Sequence, residues 1–146
     1  MSGFDLSDDG LIEHLAGSWR LTRRMRDREV ENTVSATWVL ERRFLQVHMT
    51  DTADPPDYEA IVMVGRNDAD GRYVAYWCDT FGGRFSAAGA GTRSGDAVEF
   101  VFQYPEGPFF NTFTRDPATG TWTFRMETPG DGGTRALFAE DTLRRP

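Results

Sequence analysis

The chain has 146 residues and a formal net charge of -7, with a sequence pI near 4.8. An acidic protein repels the phosphates of nucleic acids and of anionic lipids, so we expect neither as a partner. The length suits one domain, 1–146. The single cysteine, Cys78, permits no internal disulfide and no multi-cysteine metal site, which indicates a reducing compartment.

The first ten residues have neither the basic region nor the apolar region of a signal peptide. No later apolar stretch is long enough to cross a bilayer. The sequence therefore predicts a soluble, cytoplasmic protein without a membrane role.

The first predicted element is a short helix over residues 7–15. Ser7 suits the N-cap position, and Leu11, Ile12 and Leu15 recur at helical spacing. Gly17 would end this helix. We expect residues 1–16 to form a cap and residues 17–146 to form the body of the domain.

After the predicted helix, short alternating segments follow one another, separated by turn residues. This spacing is typical of an all-β sandwich or barrel. The predicted strand cores are 18–26, 32–40, 43–51, 58–66, 72–80, 84–92, 97–103, 108–115, 121–127 and 134–143.

The turns between these strands predict the register, and the register decides which side chains share a face. Turns at 104–107 and 117–120 bring apolar residues of three successive strands to one face. In the earlier strands, a turn at 41–42 pairs Trp38 with Leu45 and Val34 with Met49. Turns at 68–71 and 82–83 pair Trp77 with Val62 and with Ala88. The apolar face of the later strands carries Val98, Phe100, Phe102, Phe109, Phe113, Trp122, Phe124 and Met126.

A sheet of consecutive hairpins with one apolar face buries that face against a second sheet or by curling on itself. We predict an up-and-down antiparallel β-barrel of about ten strands, with the short N-terminal helix over one mouth. Eight strands already give an interior that side chains nearly fill, so ten would leave a cavity of ligand size unless something plugs it. The small residues at 86–92 would either widen that cavity or let a neighbouring element approach closely.

The segment LAGSWRL at 15–21 resembles the Gly-x-Trp signature of the calycins, the superfamily of lipocalins and fatty-acid-binding proteins. In that superfamily the tryptophan closes one end of the barrel beside a basic residue from the last strand. The resemblance assigns this structural role to Gly17, Trp19 and Arg144, with Arg145 also available.

Residues 13–93 also resemble a bacterial calycin-like family. Its members carry a turn before Arg-Phe-Leu and a Tyr-x-x-x-Trp-x-Asp strand, which correspond here to Arg43–Leu45 and to Tyr73, Trp77 and Asp79. The sequence departs from that family at Glu41 and Arg42, where glycines are usual. The resemblance implies a fold but no agreed activity.

Two polar residues are predicted among the apolar walls of the cavity. Arg23 follows Trp19 and Leu21 in alternation, and an inward arginine would bind a ligand carboxylate through two parallel hydrogen bonds, as the resemblance to fatty-acid-binding proteins implies. Asn111 would orient a polar end of the ligand. The remaining predicted ligand-binding residues are Trp38, Met49, Tyr73, Trp77, Phe100, Phe113 and Phe124.

Asp79 is the one candidate for catalysis. An inward carboxylate beside aromatic rings could act as a general base or bind a cationic group. The simpler alternatives are that it caps the turn that follows or pairs with an arginine.

The two histidines, His14 and His48, are not spaced as a metal site. Haem proteins of similar architecture, the nitrobindin-like proteins, use a histidine near the carboxyl end, and none follows His48 here. We therefore expect neither a metal nor another cofactor.

Three hypotheses for function follow. The first is a carrier or sensor of a small hydrophobic or aromatic molecule held in the barrel. The second is an isomerase, cyclase or hydrolase acting on such a molecule, with Asp79 as proton shuttle and Tyr73 or Tyr76 as hydrogen-bond donor. The third is a structural or protein-interaction barrel without a ligand, such as a homodimer.

Overall fold

The computed structural model describes residues 5–146. As predicted, the chain is an all-β protein, and its ten strands alternate between inward and outward side chains. The strands are β1 (Gly17–Met25), β2 (Glu29–Val39), β3 (Phe44–Asp51), β4 (Glu59–Arg66), β5 (Tyr73–Asp79), β6 (Ala88–Ser94), β7 (Ala97–Tyr104), β8 (Gly107–Arg115), β9 (Trp122–Pro129) and β10 (Arg135–Arg144).

The sheet closes on itself. Each strand pairs antiparallel with the next, and β10 pairs with β1 to complete the barrel. Closure satisfies the backbone groups that an open sheet would expose at its edges. The predicted up-and-down antiparallel barrel of ten strands is confirmed.

The N-terminal segment is not the helix that the spacing predicts. It forms two 3-10 turns, Leu6–Asp8 and Ile12–Leu15, because Gly10 adopts a φ of +86° between them and the Asp9 carboxylate accepts a hydrogen bond from the Ile12 N–H, which begins the second turn. Both turns nevertheless cover one mouth of the barrel, and their apolar side chains are fully buried. The first four residues of the predicted cap lie outside the described residues.

Most of the predicted register is confirmed, including Phe102 opposite Phe109 and Phe113 opposite Phe124. The earlier pairs Trp38 with Leu45, Val34 with Met49 and Trp77 with Val62 are confirmed as well.

One predicted pair is wrong, because Ala88 lies opposite Tyr76 and not opposite Trp77. The connection between β5 and β6 is longer than the predicted two-glycine turn, since it contains the 3-10 turn Gly82–Arg84. The resulting shift by one residue turns Gly89 and Gly91 toward the interior.

These two glycines admit aromatic rings from the next strand. A Cβ atom at Gly89 would lie 2.6 Å from the ring of Phe102, and one at Gly91 would lie 2.7 Å from the ring of Phe100. The small residues of β6 therefore allow close approach by β7, and the space they leave is filled by rings.

The barrel interior has two unlike halves. At the packed end, the mouth that the two 3-10 turns cover, aromatic side chains fill the interior. Phe113 stacks on Phe124 with ring centroids 3.8 Å apart, and Phe100 meets Phe113 edge to face at 5.0 Å. The opposite mouth, where β1, β3, β5, β7 and β9 finish, is the open end.

Among residues 5–146, no helix is long and apolar enough to cross a membrane.

Candidate functional site

A cavity of about 510 Å³ occupies the open end of the barrel. This volume is in the range of small-molecule binding sites. Its wall is largely aromatic, with rings contributed by Tyr58, Trp77, Phe81, Phe85, Phe102, Tyr104, Phe109 and Phe138.

Six of these rings form a continuous run around the mouth, which we call the aromatic rim. Successive ring centroids lie 5.6–6.3 Å apart. Phe81 and Phe138 are 61% and 56% exposed, and exposed apolar rings grouped in this way are typical of a binding surface. The rim consists of Tyr58, Phe81, Phe85, Tyr104, Phe109 and Phe138.

Arg23 lines the cavity and is held by a carboxylate beneath it. Arg23 and Asp141 lie opposite each other on β1 and β10, and the Nε and Nη2 atoms of Arg23 donate to the two carboxylate oxygens of Asp141 at 2.7 Å each. Burial lowers the pKa of Arg23, but the hydrogen bond and the charge of Asp141 outweigh burial and leave it raised. The arginine is therefore charged, and its charge is balanced within the protein.

A hydrogen-bonded group of three residues forms one wall. The Tyr58 hydroxyl donates to Asp79 Oδ2 at 2.9 Å and accepts from Trp77 Nε1 at 3.2 Å. Burial raises the pKa of Tyr58 to about 12, so this hydroxyl keeps its proton at neutral pH. The guanidinium carbon of Arg23 lies 5.3 Å from the centre of the Tyr58 ring.

Both carboxylate oxygens of Asp79 have partners. Oδ2 accepts from Tyr58, and Oδ1 accepts from the Phe81 N–H at 3.0 Å. The second bond caps the turn after β5, which is the simpler of the roles considered for this residue. Through these two hydrogen bonds, Asp79 orients the Tyr58 hydroxyl and holds the loop that carries Phe81.

Two buried asparagines line the cavity, one of them, Asn111, as predicted. Asn32 and Asn111 are 1% and 2% exposed and both line the cavity, yet the side-chain oxygen of each has no hydrogen-bond partner among residues 5–146. A buried polar atom without a partner costs about 1–3 kcal/mol. Asn32 is on β2 and Asn111 on β8, with three strands between them one way around the barrel and five the other, so the two amides approach from opposite walls.

The structure brings four of the predicted site residues together at the cavity, namely Arg23, Trp77, Asp79 and Asn111.

The other predicted wall residues do not line the cavity. Met49 lies against Arg23, with its sulfur 3.7 Å from Nη2. Trp38 packs against the core, and Tyr73, Phe100, Phe113 and Phe124 are buried in the core. Alternation places all of them inward, but it does not say how deep along the barrel axis a residue lies.

Neither tyrosine named as a catalytic donor reaches the cavity. The Tyr73 hydroxyl donates to the Asp9 carboxylate at the packed end, at 2.8 Å and 2.9 Å, and Arg66 pairs with the same carboxylate at 3.3 Å. Tyr76 is 47% exposed on the outer face. Tyr58 is the tyrosine that donates to Asp79.

At the packed end, Trp19 lies beneath a basic side chain, but that side chain is not the predicted one. Trp19 Nε1 donates to the Leu15 carbonyl at 2.7 Å, and Gly17, with a φ of +116°, leaves room for the guanidinium of Arg145. That guanidinium lies 3.7 Å from the Trp19 ring centre and donates to the carbonyl of Ser18. Arg144, the predicted partner, is exposed and lies opposite Arg20, because the alternation of β10 turns it outward.

Sequence reasoning missed several residues of the site. Asn32 and Asp141 alternate with Val34 and Leu143, so their inward positions could have been found from the same pattern. The rim rings of Phe81 and Phe85 are on an irregular connection, where alternation gives no signal.

Within the described part of the chain, no three His, Cys, Asp or Glu side chains are grouped as a metal site. His48 hydrogen-bonds Glu59, and His14 is exposed on the second N-terminal turn.

No protein-family model matches the sequence, and no curated protein is significantly similar to it. Among solved structures, the chain is similar to the crystal structure of Rv2717c from M. tuberculosis, with a TM-score of 0.48 and 13% identity. The alignment covers 92% of this chain and 94% of that chain. A likeness this distant says nothing about function.

Proposed function

We propose that the protein binds a small, mainly aromatic or apolar molecule in the cavity at the open end, as a carrier or sensor. One observation carries the proposal: a cavity of about 510 Å³ combines an aromatic wall with two buried asparagine oxygens that have no partner among residues 5–146. Apolar walls with a few inward polar groups are the usual composition of a small-molecule site.

We also infer that the barrel is of the calycin type. Gly17, Trp19 and Arg145 support this inference, because a tryptophan at the closed end beneath a basic side chain is the arrangement that the resemblance implies. A cytoplasmic location goes with the proposal, since Cys78 is an exposed free thiol and such thiols suit a reducing compartment.

A matched pair of variants on β9 tests the proposal. Thr128 lines the cavity, whereas Thr123 is half-buried five residues earlier on the outer side of the same strand. Titration with the uncharged dye Nile red is expected to show binding to the wild type and to Thr123→Trp, and weaker binding to Thr128→Trp, whose indole would occupy part of the cavity.

The proposal fails if Thr128→Trp folds and binds the dye as the wild type does. It also fails if Nile red and a panel of retinoids, flavonoids and polyketides leave both tryptophan fluorescence and melting temperature of the wild type unchanged. Native mass spectrometry of freshly purified protein would give the mass of any retained ligand.

The hydrogen bond from Tyr58 to Asp79 keeps an enzyme as the second candidate, because it places a proton donor and a carboxylate in the cavity wall. An isomerase, cyclase or hydrolase would need Asp79 to accept a proton from the substrate. If a substrate is found and Asp79→Asn turns it over at the wild-type rate, the enzyme hypothesis is excluded. A homodimer stays a prediction, which light scattering coupled to size-exclusion chromatography would test.

A further inference from the structure

We propose that the cavity selects flat aromatic molecules that are uncharged or cationic and carry hydrogen-bond donors, and that it rejects carboxylate ligands such as fatty acids. This inference rests on the proposed binding function and specifies its ligand class. It reverses the expectation that an inward arginine would receive a ligand carboxylate.

The charges around the cavity disfavour an anionic ligand. The inner arginine, Arg23, already donates two hydrogen bonds to Asp141, so a ligand carboxylate would compete with a carboxylate that the fold supplies. The other arginine, Arg28, is exposed at the mouth, where solvent weakens its attraction. Among the described residues, the charged side chains that line the cavity are Asp51, Asp57, Asp79, Arg23 and Arg28, and Asp141 beneath them adds a further negative charge.

A buried anion without a free cation beside it is unfavourable, because it loses its hydration and gains no counter-charge. An uncharged ligand avoids this penalty. A cationic ligand would gain from the excess of carboxylates and from the faces of the surrounding rings.

The two asparagines favour a ligand that carries hydrogen-bond donors. Their Oδ1 atoms are acceptors without a partner within residues 5–146, and each is almost completely buried. The oxygens themselves are covered, so a ligand O–H or N–H group would reach one only after the amide turns toward the cavity. It would then satisfy an atom that has no partner within residues 5–146. A ligand of the same shape without donors would leave that atom unpaired and would bind more weakly.

The wall itself favours a flat ligand. The rings of Phe102 and Tyr104 are nearly parallel, with an angle of 11° between their planes and centroids 6.0 Å apart. They extend along β7 toward the mouth and present an aromatic surface on which a planar molecule can stack.

Three para-disubstituted trans-stilbenes of equal ring size test the inference by isothermal titration calorimetry at neutral pH. The dihydroxy compound carries donors, the dimethoxy compound carries acceptors only, and the dicarboxylate carries negative charge. We expect the dihydroxy compound to bind roughly tenfold or more tightly than the dimethoxy compound, the effect of one satisfied buried hydrogen bond. We expect the dicarboxylate to show no measurable binding.

Variants of the two asparagines test whether these residues cause the preference for ligands with hydrogen-bond donors. Asn111→Leu and Asn32→Leu each remove an oxygen without a partner in the described residues, so the ratio of affinities for the dihydroxy and dimethoxy compounds should fall toward one. The melting temperature of the ligand-free protein should rise, because the unpaired atom is gone. Trp122→Phe is the control, since it removes another buried atom, Nε1, that has no partner among residues 5–146. This atom is at the packed end, so the ratio should stay as in the wild type.

Equal binding of the dihydroxy and dimethoxy compounds would overturn the inference and leave the proposed function standing. Tight binding of the dicarboxylate would also overturn the inference and leave the proposed function standing. Asparagine variants that fold and keep the full donor preference would also overturn it, and if they fail to fold, the three compounds on the wild type still decide it. If Nile red binds but none of the stilbenes does, only the inference fails, whereas absence of binding by Nile red and the wider panel ends both.

Discussion

The packed end and the open end are built from the same ten strands with the same alternation, yet one is a core and the other is a cavity. At the packed end, the N-terminal turns cover the mouth, and apolar side chains, several of them aromatic, fill the interior. At the open end, the inward positions carry Arg23, Asn32 and Asn111. The number of strands sets the width of the interior, but the mouth cover and the polarity of the inward residues decide whether that interior is filled.

Strand β8 passes through both regions within five residues. Phe109 is half-buried at the rim, and Phe113 is buried between Phe100 and Phe124. Between them, Asn111 is buried, and its side-chain oxygen has no partner in the described part of the chain. The same strand therefore offers matched positions at which the two ends can be compared directly.

The largest expected effect comes from truncating an inward ring at each end. Phe113→Ala should lower the free energy of unfolding by about 3–5 kcal/mol, because it leaves a void in a packed core. Phe109→Ala should cost only about 1 kcal/mol, since its half-exposed ring loses less buried area. Urea denaturation of both variants measures the difference. Equal losses would show that the open end is packed as tightly as the closed one.

The second-largest expected effect on stability comes from the ion pair of Arg23 and Asp141 beneath the cavity. Asp141→Asn should cost about 3 kcal/mol, because it leaves the buried charge of Arg23 without its partner. Replacing both residues, as Arg23→Met with Asp141→Leu, should recover most of that loss, since a buried ion pair contributes little over apolar residues of similar volume. A double variant no more stable than Asp141→Asn would contradict this account. The measurement is again urea denaturation.

Alkaline pH should act through the cavity wall. Burial raises the pKa of Tyr58 from 10.0 to about 12, so the unfolded chain loses this proton first as pH rises. The stability that Tyr58 contributes is therefore complete below pH 10 and is lost toward pH 12, by about 2–3 kcal/mol. Urea denaturation at several pH values should show that the free energy of unfolding declines less steeply with pH in Tyr58→Phe than in the wild type. Identical slopes would show that Tyr58 does not cause the decline.

The smallest effect concerns the closure of the packed end. Arg145→Ala removes the cation above Trp19 and should cost about 0.5–1 kcal/mol, as exposed cation–π pairs do. Arg144→Ala is the matched control and should leave the melting temperature close to that of the wild type. If the two variants behave alike, Arg145 has no special role in closing the barrel.

Alternation and turn residues predicted the ten strands, most of the register and which residues face inward, because each of these depends on local spacing. They did not predict depth, so Phe100, Phe113 and Phe124 were assigned to the cavity although they lie in the packed core. They also missed the rim rings on the β5–β6 connection, whose 3-10 turn Gly82–Arg84 shifts the next strand by one residue. Both errors concern long-range packing, which single-strand patterns do not contain.

The turn between β2 and β3 has a practical consequence for protein engineering. Leu40, Glu41 and Arg42 adopt φ values of 52°, 57° and 63°, a left-handed conformation that costs an L-residue about 1–2 kcal/mol per position. Glycine at position 41 or 42 would relieve this strain at a site outside the lining of the cavity. Variants with glycine there would give a tolerant background in which the cavity can be redesigned without unfolding the barrel.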